Sequence, residues 1–155
     1  MYVLDTNAFY ILGHYYPSRF PTIWSHVDHL VDKERFWSVK EVRRELESNC
    51  PSEHIYNWIK ENRHIFRKPS SEELEIVSQI FQRKEFVGLV KRKNLLQGLP
   101  VADPFIVAAA KVRGCLIVTQ ESLKIGGARI PTVCKEFNID CINVEQFLER
   151  EELKY

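Results

Sequence analysis

The sequence lacks any apolar run long enough to cross a lipid bilayer. Its longest strictly apolar run, from Phe105 to Ala110, is far shorter than the roughly 20 residues that a membrane-spanning helix needs. Strand-forming residues begin at Tyr2, so we also expect no positively charged leader with an apolar core ahead of the fold. These absences predict a protein that is neither inserted in a membrane nor exported, and that works in the cytoplasm.

Cysteine is scarce, and its spacing matches no template for a metal site or a redox motif. The four cysteines are Cys50, Cys115, Cys134 and Cys141. Zinc sites and dithiol motifs need closely paired cysteines, so we interpret these scattered ones as small core residues in a reducing compartment.

An excess of charge of either sign is also missing. Lys and Arg number 22 against 21 Asp and Glu, which gives a formal net charge of +1. This balance neither requires nor excludes a polyanionic partner, because a local patch matters more than the sum. With 155 residues, 45% of them hydrophobic and 12% aromatic, the chain is expected to form one domain over residues 1–155.

Short apolar stretches alternate with helical patterns along the chain. Strands are predicted at YVLD (2–5), LIVT (116–119) and CINV (141–144), and more weakly at RFWS (35–38). Apolar periodicity predicts helices over residues 21–33, 39–48, 52–63, 71–86, 104–113 and 132–138, with a last helix from Glu145. This alternation is typical of a three-layer α/β/α fold, in which helices cover both faces of a central parallel sheet, here of about four to five short strands.

Two aspartates lie at positions that suit a functional site. Asp5 is predicted at the edge of the sheet where open α/β folds bind their ligands, and Asp103 is predicted at the start of a helix. Asp5 ends the first strand, in YVLDTN, and is expected at the carboxyl edge of the sheet, where it also suits the N-cap of a helix near Ala8. In LPVADPFIVAAAKVRG, Asp103 and Pro104 match an N-cap with a first-turn proline, and Gly114 ends the helix. A carboxylate at a helix N-terminus stays ionised, so capping and cation binding are compatible roles.

Two glutamates extend this acidic set. Glu121, in LIVTQES, follows its strand as Asp5 follows the first strand. The helix predicted in SVKEVRRELE has an apolar stripe formed by Val39, Val42 and Leu46. At about 100° per residue, Glu45 lies nearer to that stripe than Glu41 does, so Glu45 is predicted to face inward.

These motifs, taken in order, resemble those of the PIN-domain nucleases, a family that includes the ribonuclease toxins of bacterial and archaeal toxin–antitoxin pairs. The stretches that carry the resemblance are YVLDTN, VRREL, ADPFIVAAA and VTQES, and the match extends almost from end to end. The resemblance implies an acidic quartet at Asp5, Glu45, Asp103 and Glu121, with Asn7 and Thr119 as polar supports.

The resemblance further implies a PIN-like fold and a metal-dependent endoribonuclease. Converging carboxylates repel one another unless a cation neutralises them, and Mg²⁺ or Mn²⁺ prefers such oxygen ligands. Two such ions promote in-line hydrolysis of a phosphodiester, so the four acidic residues are expected to be both catalytic residues and metal ligands. The family also implies RNA as substrate, a homodimer and, for a toxin, an antitoxin protein that holds it inactive.

An acidic site that accepts RNA needs basic residues around it. The candidates are Arg43, Arg44, Arg83, Lys84, Lys91, Arg92 and Lys93. We expect them to contact phosphates, although a run such as 91–93 is also typical of a solvated surface.

Three other functions are compatible with part of the sequence. A phosphoaspartyl enzyme also has Asp after its first strand, but DTNAF has no second Asp two residues on. A nucleotide-binding module needs a glycine in the first strand-to-helix turn, which is missing here. The main alternative is a catalytically silent PIN-like domain that binds RNA or a protein partner, because Glu121 stands where most family members have Asp.

Overall fold

A parallel sheet forms the centre of the protein in a computed structural model that describes residues 1–83, 101–123 and 129–153. Its five strands are β1 (Tyr2–Leu4), β2 (Phe36–Val39), β3 (Phe66–Arg67), β4 (Leu116–Val118) and β5 (Cys141–Ile142). They pair in the order β3-β2-β1-β4-β5, and every neighbouring pair is parallel. The predicted α/β fold with a central parallel sheet is confirmed.

Helices flank the sheet. Those in the described residues are α1 (Thr6–Leu12), α2 (Pro21–Asp32), α3 (Lys40–Ser48), α4 (Glu53–Glu61), α5 (Ser71–Gln82), α6 (Asp103–Arg113), α7 (Ile130–Glu136) and α8 (Val144–Arg150), with a 3₁₀ helix at Arg63–Ile65. Each begins within about two residues of its predicted start. The end predicted for the fifth helix, at residue 86, lies outside the described residues.

Strand β3 is not among the predicted strands. It contains only Phe66 and Arg67 and directly follows the 3₁₀ helix. Two residues are too few to show the alternating pattern by which a strand is identified in a sequence. Strand β5 ends two residues earlier than predicted because Asn143 caps α8, its side chain accepting a hydrogen bond of 2.8 Å from the Gln146 N–H.

The predicted helix caps are confirmed at two of three places. Asp5 is the N-cap of α1, and Gly114 ends α6 in the left-handed conformation with φ +64°. The assignment of Asp103 as an N-cap is wrong by one residue, because Ala102 is the N-cap and Asp103 is the first residue of α6. Asp103 nevertheless lies in the first turn, where the helix dipole stabilises a negative charge.

The core fixes the carboxyl end of β1 in the middle of one edge of the sheet. Val3 and Leu4 are fully buried between the two helical layers. An aromatic cluster supports β2 and β3 beside them, since the ring of Phe9 lies 6.1 Å from that of Phe36 and 5.8 Å from that of Phe66. The backbone that carries the Asp5 side chain, directly after Leu4, is therefore held firmly in place.

Among the helices in the described ranges, none is both long and apolar enough to cross a membrane.

Candidate active site

The strand order reverses between β1 and β4, and this reversal defines a crevice. From β1 the chain continues outward to β2 and β3, and it then returns to the other side of β1 to form β4 and β5. In open α/β sheets, ligands bind outside the carboxyl ends of the strands at such a point. Asp5 directly follows β1 and Thr119 directly follows β4, so both border this crevice.

Asp5 is buried, and both of its carboxylate oxygens accept hydrogen bonds. Its side chain is at the centre of the edge, and the residue is only 2% exposed. Oδ1 accepts a bond of 2.6 Å from the Ala8 N–H, and Oδ2 accepts one of 2.6 Å from the Thr119 hydroxyl. Burial raises the pKa of Asp5 to about 7, against the effect of these two bonds, and the charges of Glu121 and Glu45 add to the rise.

Thr119 connects Asp5 to Glu121. Its hydroxyl oxygen accepts a hydrogen bond of 3.1 Å from the Glu121 N–H while its proton is donated to Asp5. The Glu121 side chain is half-buried, and its Oε2 accepts a bond of 2.8 Å from the Ile130 N–H at the start of α7. Glu121 therefore holds the start of α7 against the loop that follows β4.

Helix α3 brings Glu45 to the same edge of the sheet. The Glu45 carboxylate accepts hydrogen bonds from the Thr6 hydroxyl and, at 3.1 Å, from the Ala102 N–H. Thr6 is next to Asp5 in sequence, and Ala102 is next to Asp103. Glu45 thus lies between the segments that carry the two aspartates.

Glu41 is more buried than Glu45, although the apolar stripe of α3 favoured Glu45 as the residue that faces inward. Glu41 is 6% exposed, whereas Glu45 is only half-buried. The apolar stripe does not show which residues neighbouring elements bury, and α3 packs against β3 as well as β2. Burial raises the pKa of Glu41, and Lys40, whose Nζ is 3.7 Å from its carboxylate, opposes the rise.

The four predicted acidic residues are therefore connected, directly or through an adjacent residue, by hydrogen bonds at one edge of the sheet. The connection extends from Glu121 through Thr119 to Asp5, and from Thr6 through Glu45 to the segment that precedes Asp103. Asp103 is half-buried in the first turn of α6. We call these four residues, Asp5, Glu45, Asp103 and Glu121, the acidic cluster.

The acidic cluster offers the kind of ligand that a divalent cation prefers, but its side chains are not arranged around one ion position. Within residues 1–83, 101–123 and 129–153, no group of three or more His, Cys, Asp or Glu side chains is arranged to hold a metal ion. The carboxylate oxygens themselves are the ligands that Mg²⁺ and Mn²⁺ prefer. Asp5, Glu45 and Glu121 accept hydrogen bonds from the protein, and each carboxylate keeps lone pairs with which it could also bind an ion.

Of the two polar supports expected beside the cluster, only Thr119 contacts an acidic residue through its side chain. Asn7 is exposed in the first turn of α1, and its side chain forms no hydrogen bond with the acidic residues of the described ranges. Thr6, its neighbour, makes the contact with Glu45 instead. Thr6 could have been proposed from the sequence because it directly follows Asp5. Its contact with Glu45, however, depends on where α3 packs.

The predicted RNA-binding residues are only partly described. Arg43 pairs with Glu47 at 3.4 Å on α3, and the charge of Arg44 opposes the rise in the pKa of Glu41. The guanidinium of Arg83 lies over the ring of Phe137, 5.4 Å from its centroid. The remaining candidates, Lys84, Lys91, Arg92 and Lys93, lie outside the described residues.

Comparisons with known proteins agree with this architecture. A family model described as "Domain of unknown function (DUF4411)" matches residues 2–155. PAE2754 from Pyrobaculum aerophilum is similar in structure with a TM-score of 0.52, at 16% identity over 99% of this chain and 96% of that chain. FitAcB from Neisseria gonorrhoeae gives a TM-score of 0.50, at 16% identity over 94% of this chain and 99% of that chain.

A third solved structure is less similar. VapBC2 from Rickettsia felis, bound to a DNA fragment from their promoter, gives a TM-score of 0.49, at 15% identity over 92% of this chain and 97% of that chain. No curated protein matches the sequence. At these identities the structural likeness shows the fold, and the expected PIN-like fold is confirmed.

Proposed function

This chain belongs to the DUF4411 family, which is PIN-like, and on this premise we propose that it is a metal-dependent endoribonuclease. The observation that supports the proposal most is the acidic cluster at the reversal of strand order. Asp5 is buried there with a pKa of about 7, partly because Glu121 and Glu45 are close. A site whose carboxylates repel one another favours a cation that neutralises them.

In the proposed mechanism, the acidic cluster holds Mg²⁺ or Mn²⁺ and the protein positions the ligands. A metal ion held there would supply positive charge to activate water and to stabilise the charge on the phosphodiester. Asp5 and Asp103 are assigned as direct ligands, and Glu45 and Glu121 as ligands directly or through water. Thr119 fixes the orientation of Asp5 through the 2.6 Å hydrogen bond, and Thr6 does the same for Glu45.

The proposal also assigns partners. RNA is the proposed substrate, and the basic residues of α3, Arg43 and Arg44, are the described candidates for contacts with its phosphates. The sequence motifs shared with toxin ribonucleases support a role as the toxin of a toxin–antitoxin pair, with an antitoxin protein as partner, a homodimer as assembly and the cytoplasm as location.

RNA cleavage by purified protein tests the proposal. Labelled single-stranded RNA is incubated with wild-type protein, with Asp103→Asn and with Asp140→Asn, in Mn²⁺, in Mg²⁺ or in a chelator. Asp140 is the matched control, because it is exposed and precedes β5 at the amino edge of the sheet. We expect metal-dependent cleavage by wild type and by Asp140→Asn, and its loss in Asp103→Asn.

Two results would contradict the proposal. One is the absence of cleavage of any RNA by folded wild-type protein together with no measurable binding of Mn²⁺. The other is equal cleavage by the wild type and by folded Asp103→Asn, which would indicate a contaminating nuclease.

A catalytically silent domain that binds RNA or a protein is the second candidate function. The spacing of the carboxylates favours it, because no group of three in the described residues is arranged to hold a metal ion. Binding of the same labelled RNA in a gel-shift measurement, without cleavage in any metal, would support this function over the nuclease.

A further inference from the structure

A cavity at the opposite edge of the sheet from the acidic cluster contains two arginines. It lies beside the amino ends of β2 and β3 and has a volume of about 410 Å³. Its polar lining consists of Glu34, Trp37, His64, Arg67 and Arg113, and its apolar lining consists of Val31, Phe36 and Ile65. We call it the arginine cavity.

The indole of Trp37 holds both guanidinium groups in place. Trp37 is 1% exposed, and the guanidinium carbon of Arg67 is 4.7 Å from its ring centroid. The guanidinium carbon of Arg113 is 5.0 Å from the same centroid. Cations within about 6 Å of a ring centroid are attracted to the face of the ring. Two positive charges are therefore fixed around one buried side chain.

The carboxylates nearby pair with only one of these charges. Arg113 donates a hydrogen bond of 2.6 Å from Nε to Oε1 of Glu73, whose side chain is 3% exposed. Among the described residues, Arg67 has no carboxylate oxygen within 4.0 Å of its guanidinium nitrogens. Glu34 also lines the cavity, but it is exposed, so water screens its charge.

We propose that the arginine cavity binds the phosphoryl group of a small phosphorylated molecule, such as a nucleoside monophosphate. The planar guanidinium fork of Arg67 matches the oxygen atoms of a phosphoryl group, and Arg113 and His64 add further donors. The apolar residues Phe36 and Ile65 accommodate an organic group attached to it. The volume lies in the range of roughly 300–1,000 Å³ that small-molecule sites occupy.

This site is independent of the proposed nuclease site. The cavity is lined by residues in and before β2 and β3 and by the last residue of α6. The acidic cluster lies at the carboxyl ends of β1 and β4, on α3 and at the first residue of α6, and shares no residue with the cavity. A ligand bound in the arginine cavity does not depend on a metal ion in the acidic cluster.

Equilibrium dialysis of the full chain in a chelator tests the proposal, with labelled orthophosphate and labelled AMP as the two probes. The variants are Arg67→Gln, Arg67→Lys and Asp103→Asn, with Arg63→Gln as the matched control because Arg63 is exposed and does not line the cavity. We expect both probes to bind the wild type, and Arg67→Gln to weaken binding by about tenfold or more. Arg63→Gln and Asp103→Asn should leave binding unchanged.

The two probes also separate the sources of the phosphoryl group. Tighter binding of AMP than of orthophosphate would show that the ligand is a phosphate ester, and equal binding would show a site for the phosphoryl group itself. If Arg67→Gln does not fold, as judged by circular dichroism, Arg67→Lys serves instead, because it retains the charge over Trp37 but loses the bidentate fork.

Three outcomes would overturn the proposal. The first is no binding of either probe to folded wild-type protein at millimolar concentration. The second is binding that Asp103→Asn abolishes and Arg67→Gln does not, which would place the anion at the acidic cluster. The third is that folded Arg67→Gln binds both probes as tightly as the wild type, which would place the phosphoryl group away from the arginine cavity.

Discussion

The hydroxyl of Thr119 donates a hydrogen bond of 2.6 Å to Oδ2 of Asp5, from the end of β4 to the end of β1. The same hydroxyl accepts a bond of 3.1 Å from the Glu121 N–H. One side chain therefore orients the most buried carboxylate of the acidic cluster and positions the segment that carries another.

Replacing Thr119 by Val should destabilise the protein. The change preserves shape but leaves Asp5 Oδ2 and the Glu121 N–H without this partner, so we expect the free energy of unfolding to fall by about 1–3 kcal/mol. Thr119→Ser keeps the hydroxyl and should cost less. Urea unfolding at pH 8 measures both, and a Val variant as stable as the wild type would show that the hydroxyl contributes nothing.

Replacing Asp5 by Asn should stabilise the protein at high pH. Burial raises the pKa of Asp5 from 3.8 to about 7, so the folded state binds this proton more tightly than the unfolded state. The contribution of Asp5 to stability is then greatest below about pH 4 and is lost as the pH rises through about 7. Asn does not ionise, so Asp5→Asn should gain up to about 4 kcal/mol at pH 8 and nothing at pH 4.

Urea unfolding at both pH values checks this prediction. A variant that is less stable than the wild type at pH 8 as well as at pH 4 would show that the ionised carboxylate is stabilised by its hydrogen bonds more than burial destabilises it.

Addition of Mn²⁺ should raise the melting temperature of the wild type at pH 8 more than that of Asp5→Asn. An ion that binds only the folded state stabilises it, by about 2.7 kcal/mol at a concentration 100 times its dissociation constant. Differential scanning calorimetry with Mn²⁺, with Ca²⁺ and with a chelator measures the shift. Equal shifts for the two proteins would remove Asp5 from the proposed metal ligands.

Glu151 should show the opposite dependence on pH. Burial acts to raise its pKa, but hydrogen bonds from Tyr2 and His26 and the charge of Arg35 outweigh this, so its pKa is lowered. Its contribution is present above its unfolded pKa of 4.5 and is lost as the pH falls through the lower folded value. Glu151→Gln should therefore lose about 1–3 kcal/mol at pH 7 and little at pH 3.

The matched control for Glu151→Gln is Glu149→Gln, an exposed residue on α8. Its stability should equal that of the wild type at both pH values. A loss of similar size in both variants would indicate a general effect of net charge instead of the contacts that Glu151 makes with Tyr2 and His26.

Gly114→Ala should cost about 1 kcal/mol through backbone conformation alone. Gly114 ends α6 at φ +64°, and a Cβ atom added there would have no neighbour within 4 Å. Gly114→Asn should cost less, because Asn adopts the left-handed conformation more readily than Ala. Thermal unfolding of the two variants measures the order, and an Ala variant as stable as the wild type would contradict it.

The elements that local pattern specifies were predictable. Strands β1 and β4 are apolar runs that end in polar residues, and the stretches around Asp5 and Asp103 are recognisable without any knowledge of their surroundings. The fold and the position of the cluster on the sheet followed from these local signals.

Features that depend on contacts between distant segments were not predictable. The hydrogen bond from Thr6 to Glu45 depends on where α3 packs. The burial of Glu41 depends on the packing of α3 against β2 and β3. The arginine cavity combines Trp37, Arg67 and Arg113, which come from β2, β3 and α6. No local pattern in the sequence indicates that these three side chains meet.

The position of β1 between β2 and β4 also sets the order of events during synthesis. A nascent chain ending at residue 83 contains the segments of β1, β2 and β3 and could bury one side of the first strand. The hydroxyl that orients Asp5 belongs to a residue 114 positions later. The geometry that orients Asp5 therefore cannot exist in a nascent chain until Thr119 has been added and has left the ribosome.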